Sequence, residues 1–127
     1  MGLPVTVNPF GSANSEPNYW LSCLLIDEDA MSEQVRDEMT ARYTHESGRS
    51  CPTEILEALA NFNAEGRSIW KPMHLQPIYR DFPFVTADDG ESVGSDIFRR
   101  GLCLPSDNKM TAEQQDIVID IIRRCFI

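Results

Sequence analysis

The end of the chain constrains the fold most. Thr111 and Gln114 form the T-x-x-Q pattern of a capping box, and behind it Ile117, Val118, Ile121, Ile122, Cys125 and Phe126 recur at helical spacing as one apolar stripe. In a capping box the threonine hydroxyl and the glutamine amide each satisfy a backbone N–H left unbonded at a helix start. So broad a stripe must be buried against a second surface. The rest of the sequence has to supply that surface, and it does so with short apolar runs of the kind that build a sheet.

Tyr19 to Ile26, YWLSCLLI, is apolar almost throughout and too short for most helices, which predicts a strand covered on both faces. After the acidic break at Asp27 to Asp29, the spacing of Met31, Val35 and Met39 predicts a short amphipathic helix over Ala30 to Thr40. Arg42 to Pro52 is polar, holds a glycine and reads as an exposed loop. Ile55, Leu56, Leu59 and Phe62 then define one face of a helix over 53–64, with Pro52 in the first turn and Gly66 after the end. Arg67 to Trp70 is a brief strand, and Gln76 to Asp81 one helical turn among prolines. Residues 86–94, TADDGESVG, read as a mobile acidic loop. Ser92 or Ser95 caps a short helix carrying Ile97 and Phe98, which Gly101 ends before the small strand Leu102 to Leu104. Residues 1–17, with Pro4, Pro9, Gly11 and Pro17, form an extended arm or linker. The order of elements predicts an α/β (α+β) fold, a small mixed sheet covered by helices, over residues 18–127.

The chain's 127 residues have room for one such core. A net charge of −9 and a pI near 4.5 exclude a surface that tracks nucleic-acid phosphates, which needs a basic patch. Cys23, Cys51, Cys103 and Cys125 form no CxxC pair and read as free thiols, most of them in apolar stretches. No apolar run is long enough to span a membrane and no leader pattern opens the chain, so the expectation is a cytoplasmic protein without a membrane partner. The opening MG with Thr6 matches a myristoylation pattern only by its shortness.

The polar and aromatic side chains that carry chemistry concentrate in RSIWKPMHLQPIYRDF, residues 67–82. Arg67, Trp70, Lys71, His74, Gln76 and Tyr79 stand close together among prolines that lower the entropy of a free loop. A guanidinium, an ammonium, an imidazole and aromatic faces together suit a phosphorylated, ring-containing ligand. The bland reading stands beside it: Arg67 and Lys71 solvated, Trp70 in the core, His74 a structural histidine. Other constellations carry less. His45 and His74 lack the close ligand pairs of a zinc site, which leaves His45 a solvated loop histidine. Asp88, Asp89 and Glu91 lie in a polar loop that offers no means of raising one carboxyl pKa. Ser106 to Lys109 satisfies S-x-x-K, but neither SDN nor KTG accompanies it.

The order LPVTVNPF, PNYWLSCLLID, CPTEILEALANFNAEGRSIWKPMHLQPIYRDFPF, DIFRRGLCLPSDNKMT and a terminal IIRRCF resembles the C-terminal third of the DegT/DnrJ/EryC1/StrS aminotransferases. Within them it looks most like members that aminate 4-keto sugars on a UDP carrier for pilin and other surface glycans. The resemblance implies the small domain of the aspartate aminotransferase fold. It also implies an enzyme in which PLP accepts an amino group from glutamate and passes it to the sugar ketone. A separate large domain or companion chain would supply the Schiff-base lysine, the acid paired with the pyridine nitrogen and the phosphate cradle. This chain has only Lys71 and Lys109, and the resemblance places Lys109 in an exposed turn after the small strand. By resemblance Arg67, Trp70, Lys71 and His74 face the nucleotide sugar, no residue here is catalytic, and no PLP is expected on this chain alone. A face that would meet the large domain implies self-association when that domain is absent. The alternative is a non-catalytic nucleotide-sugar-binding or accessory module, or the relic of a truncated gene.

Overall fold

The computed structural model describes residues 2–8, 14, 16, 18–37, 39–87, 90 and 92–127. Strands β1 (Val5–Val7), β2 (Cys23–Ile26), β5 (Arg67–Ser68) and β6 (Gly101–Cys103) form a sheet in the order β1-β2-β6-β5. Strands β3 (Gln34–Arg36) and β4 (Ala41–Tyr43) form a separate hairpin. The helices are α1 (Pro52–Asn61), α2 (Val93–Arg100) and α3 (Ala112–Arg124). The α/β class with helices over a sheet is as expected, but the strand ladders among the described residues are antiparallel rather than mixed.

One face of the sheet makes the core. Leu24, Ile26 and Leu102 lie under Ile55 and Leu59 of α1 and under Val118, Ile121 and Ile122 of α3. Burying each of these side chains contributes about 1.5–3 kcal/mol against the entropy of ordering the chain. The capping box of α3 is formed in both directions, with Gln114 N bonded to Thr111 Oγ1 and Thr111 N to Gln114 Oε1. The stripe behind it is buried except for Ile117, which is 54 % exposed at the rim of the helix.

Helix α1 begins at Pro52, whose missing N–H is no loss in a first turn. Its end differs from expectation. Asn63, not Gly66, takes the left-handed conformation at φ 56°, and the N–H groups of Asn63 and Ala64 bond to the carbonyls of Ala60 and Leu59. That is the double closure of a Schellman turn. Phe62 consequently swings out and is 59 % exposed instead of completing the apolar face. Gly66 has a different use: a Cβ there would stand 2.8 Å from a Leu56 methyl and 3.2 Å from the Cys103 carbonyl, so glycine lets this segment lie close to α1 and β6 without displacing the Leu56 tip or crowding that carbonyl.

The predicted helix over 30–40 is instead a short 3₁₀ turn, Glu28–Ala30, followed by the β3–β4 hairpin. Val35 and Met39 are exposed, so their helical spacing recorded no buried face. Asp37 decides the local structure. Its carboxylate accepts bonds from Met39 N, Thr40 N and Thr40 Oγ1, which hold a turn and compete with helix formation. The same bonds hold the Asp37 carboxyl below its ordinary pKa. The predicted loop 42–52 therefore starts inside β4 and ends in buried Ser50, Cys51 and Pro52.

Two further boundaries shift. The stretch read as an arm contributes the edge strand β1, paired with β2 from Val5–Ile26 to Val7–Leu24. The strand predicted from Tyr19 begins only at Cys23. Ser92 caps α2 by accepting from Ser95 N, and Gly101 ends the helix while opening β6. Asp88, Asp89 and Glu91 of the acidic loop lie outside the described residues. Among the described residues no helix is long and apolar enough to cross a membrane.

Candidate functional site

The segment that follows β5 runs across the start of α2. Pro72 packs toward Gly94, and two 3₁₀ turns, Met73–Leu75 and Pro77–Tyr79, fold the prolines and aromatics against one another. Its polar groups fall into two clusters. In the first, Arg67 leaves β5 beside Trp20, with Leu104, Pro105 and Cys103, around a cleft of about 420 Å³. Trp70 lies against Trp20 with ring centroids 5.8 Å apart and planes tilted by 31°. Both indoles are about two-thirds exposed, an uncommon state for tryptophans outside a binding surface. Arg67 pairs with Glu65 at 2.8 Å, but both groups are exposed, so water and salt screen the pair and a ligand anion can replace the carboxylate at little cost.

In the second cluster His74 bonds through Nε2 to Ser95 Oγ at 2.9 Å and stacks on Phe84 at 3.7 Å between centroids. Met73, Tyr79, Phe82 and Pro83 complete a cleft of about 250 Å³ there. Ser92 takes the capping role in α2, which leaves the Ser95 hydroxyl for His74. Lys71, between Trp70 and His74 in sequence, is half-buried, its carbonyl accepting a bond from Gln76 Nε2.

Arg67 and Trp70 thus each lie beside Trp20, whereas His74 lines a different cleft. The sequence signal missed Trp20, Phe84 and Ser95. Trp20 reads there as part of a strand, and only the folded pairing with Trp70 gives it another use. His45 is an exposed loop residue, as expected, but it is also tied down. Its Nδ1 meets Glu54 Oε1 at 2.7 Å, and buried Ser50 donates to Glu54 Oε2 at 2.8 Å, which ties the 44–50 loop to the first turn of α1. Gln34 makes a second tie, bonding Arg99 O at the end of α2 and Thr53 at the start of α1. Arg36 donates to the Phe98 carbonyl and lies 4.4 Å over the Phe98 ring. Burial lowers the pKa of its guanidinium from the ordinary value. Among the described residues no group of three or more His, Cys, Asp or Glu side chains could hold a metal.

A profile of the DegT/DnrJ/EryC1/StrS aminotransferase family matches residues 23–123, which takes in Arg67, Trp70, Lys71, His74 and every element from β2 to nearly the end of α3, and begins just after Trp20. The chain belongs to this family. It is 41 % identical over 92 residues to EpsN of Bacillus subtilis (strain 168), named as a pyridoxal phosphate-dependent aminotransferase, a match covering 72 % of this chain and 24 % of that one. Its fold is similar to the crystal structure of the aminotransferase TlmJ from Streptoalloteichus hindustanus, with a TM-score of 0.60 at 15 % identity over 96 % of this chain and 26 % of TlmJ. The chain therefore spans about a quarter of the length of these relatives.

The family is PLP-dependent, and among the described residues the surroundings of Lys109 do not fit PLP. Lys109 sits exposed in the turn after β6, its N–H bonded to Asp107 Oδ1. The cleft of about 650 Å³ that it borders also carries Glu65 and Asp107, carboxylates that would repel the cofactor's phosphate.

Proposed function

We propose that this chain is the C-terminal small domain of a PLP-dependent aminotransferase that moves an amino group from glutamate to a nucleotide-linked 4-keto sugar, for surface polysaccharide or pilin glycan synthesis in the cytoplasm. The observation that carries the reading is the exposed Trp20–Trp70 pair beside Arg67, with Trp70 and Arg67 inside the part of the chain that matches the family and Trp20 just before it. An indole face stacks on a planar ring, and a guanidinium released from a screened surface pair can take up a diphosphate. His74 and Ser95, already bonded to each other, offer a donor and an acceptor to sugar hydroxyls without leaving the clefts.

PLP supplies the electron sink of the reaction, and in this proposal it sits on a companion polypeptide that also brings the lysine. Alone, the chain is inactive and shows no internal-aldimine band. Ile78, Phe82, Phe84 and Val85 are all at least half exposed, a surface that supports docking of such a companion or, without one, self-association.

Titration with a UDP-sugar, followed by tryptophan fluorescence and calorimetry, tests the binding claim. Trp70→Ala is expected to weaken binding about tenfold or more, since stacking on one aromatic ring is worth about 1–3 kcal/mol. Arg67→Ala should weaken UDP-sugar and UDP alike. Binding unchanged by both substitutions would overturn the assignment of this face. A companion large domain that restores transamination would separate the enzyme-fragment reading from that of a binding module.

A further inference from the structure

Cys23 of β2 and Cys103 of β6 stand directly opposite each other in the antiparallel register, with sulfurs 3.8 Å apart. Their backbone bonds fix the type of pair. Cys23 N bonds to Asn8 Oδ1 and Cys23 O accepts from Asn8 N, both on the β1 side, while Leu104 N bonds to Ser22 O across the β2–β6 seam. The two cysteines therefore form a non-hydrogen-bonded pair, the class whose α-carbons approach to about 4.5 Å. A disulfide spans α-carbons about 4.4–6.8 Å apart, so rotation about the side-chain bonds closes this pair without moving the strands. Access differs between the two thiols. Cys23 is half-buried, whereas Cys103 is 4 % exposed and borders the cleft with Trp20 and Arg67. Cys51 and Cys125 are buried in other elements.

We propose that Cys23 and Cys103 form a reversible oxidation site, in which a small two-electron oxidant such as glutathione disulfide or hydrogen peroxide converts the facing thiols into an intrachain disulfide. With glutathione disulfide, the Cys23 sulfur attacks one sulfur of the oxidant and releases one glutathione thiol. The Cys103 sulfur then displaces the second, so two protein thiols are oxidised and one glutathione disulfide is reduced to two thiols. With hydrogen peroxide, Cys23 becomes a sulfenic acid and Cys103 displaces water, for a net reduction of one peroxide to two waters. The order follows from the environments. Burial, and then the neighbouring Cys23, push the Cys103 thiol up to about 11, so it does not start the reaction and acts only once an electrophilic sulfur stands next to it.

The full 127-residue chain is incubated under native conditions with glutathione disulfide, quenched in acid, denatured, alkylated, digested and mapped by mass spectrometry. The expected result is two alkylatable thiols in place of four and a peptide pair joining Cys23 to Cys103, both reversed by dithiothreitol. Cys23→Ser, at the more accessible position, should retain the native circular dichroism and form no intrachain link. Mapping of the unmodified sequence stands on its own if that variant misfolds. Four thiols still free after oxidation, a link through Cys51 or Cys125, a link between chains, or glutathione left on Cys23 without closure would each overturn the proposal.

Discussion

Removing the carboxylate of Glu54 is expected to destabilise the fold through the partner it leaves behind. Glu54 is only 7 % exposed and holds two groups, the Ser50 hydroxyl at 2.8 Å and His45 Nδ1 at 2.7 Å. The two partners lose unequally. His45 is about half exposed and returns to water at little cost. Ser50 is fully buried, so in Glu54→Ala its hydroxyl has lost its acceptor in a dry site, at a cost of about 1–3 kcal/mol. Adding the loss of packing from a buried side chain, Glu54→Ala should cost about 2–4 kcal/mol. Ser50→Ala leaves Glu54 still bonded to His45 and should cost about 1 kcal/mol. In the double variant no hydroxyl is orphaned, so the combined loss should fall short of the sum by about 1 kcal/mol or more. Urea unfolding of the four proteins, followed by circular dichroism at constant m-value, measures the cycle. Strict additivity, or a Glu54→Ala variant as stable as the parent, would refute the assignment of Glu54 as the acceptor that joins loop and helix.

Asp96 lies in α2 with its carboxylate held by Arg100 and Arg99, and the bond from Arg100 is the main cause of its lowered pKa. Because the folded carboxyl is the more acidic, its contribution is present above the unfolded value of about 3.9 and disappears as pH falls through the folded value. The stability difference between the parent and Asp96→Asn should therefore be constant near neutral pH and shrink in acid; a difference that grows in acid would contradict the geometry. Asn63 sits at φ 56°, where a Cβ is unfavourable. Thermal unfolding should show Asn63→Gly equal to or above the parent, and Asn63→Val lower by about 1–2 kcal/mol.

What was legible in the sequence is what is decided locally. The capping box and stripe of α3 are complete within one segment, and the chain folds there as its spacing implies. The 30–40 segment misled because Val35 and Met39 fit a helical period by chance while Asp37 carried the stronger instruction, a carboxylate that bonds its own following backbone. Strand β1 was hidden for the opposite reason. Its Val-Thr-Val alternates as a strand does, but three residues flanked by Pro4 and Pro9 are too few to stand alone, and they become a strand by pairing with Ile26, Leu25 and Leu24. The candidate site divides in the same way. Arg67, Trp70, Lys71 and His74 are close in sequence and could be named from it, whereas Trp20 and Ser95 join them only through folding.

Gly101 is both the last cap of α2 and the first residue of β6, and a Cβ there would lie 2.5 Å from the Ile97 carbonyl oxygen. No loop separates helix from strand. Ser95, which holds His74, therefore stands on a rod continuous with the best-buried strand of the sheet, while Arg67 is carried by an edge strand two residues long. In the proposed site the two ends of the surface differ in stiffness, and a molecule laid across both would meet a fixed stop at His74 and a more compliant support at Arg67.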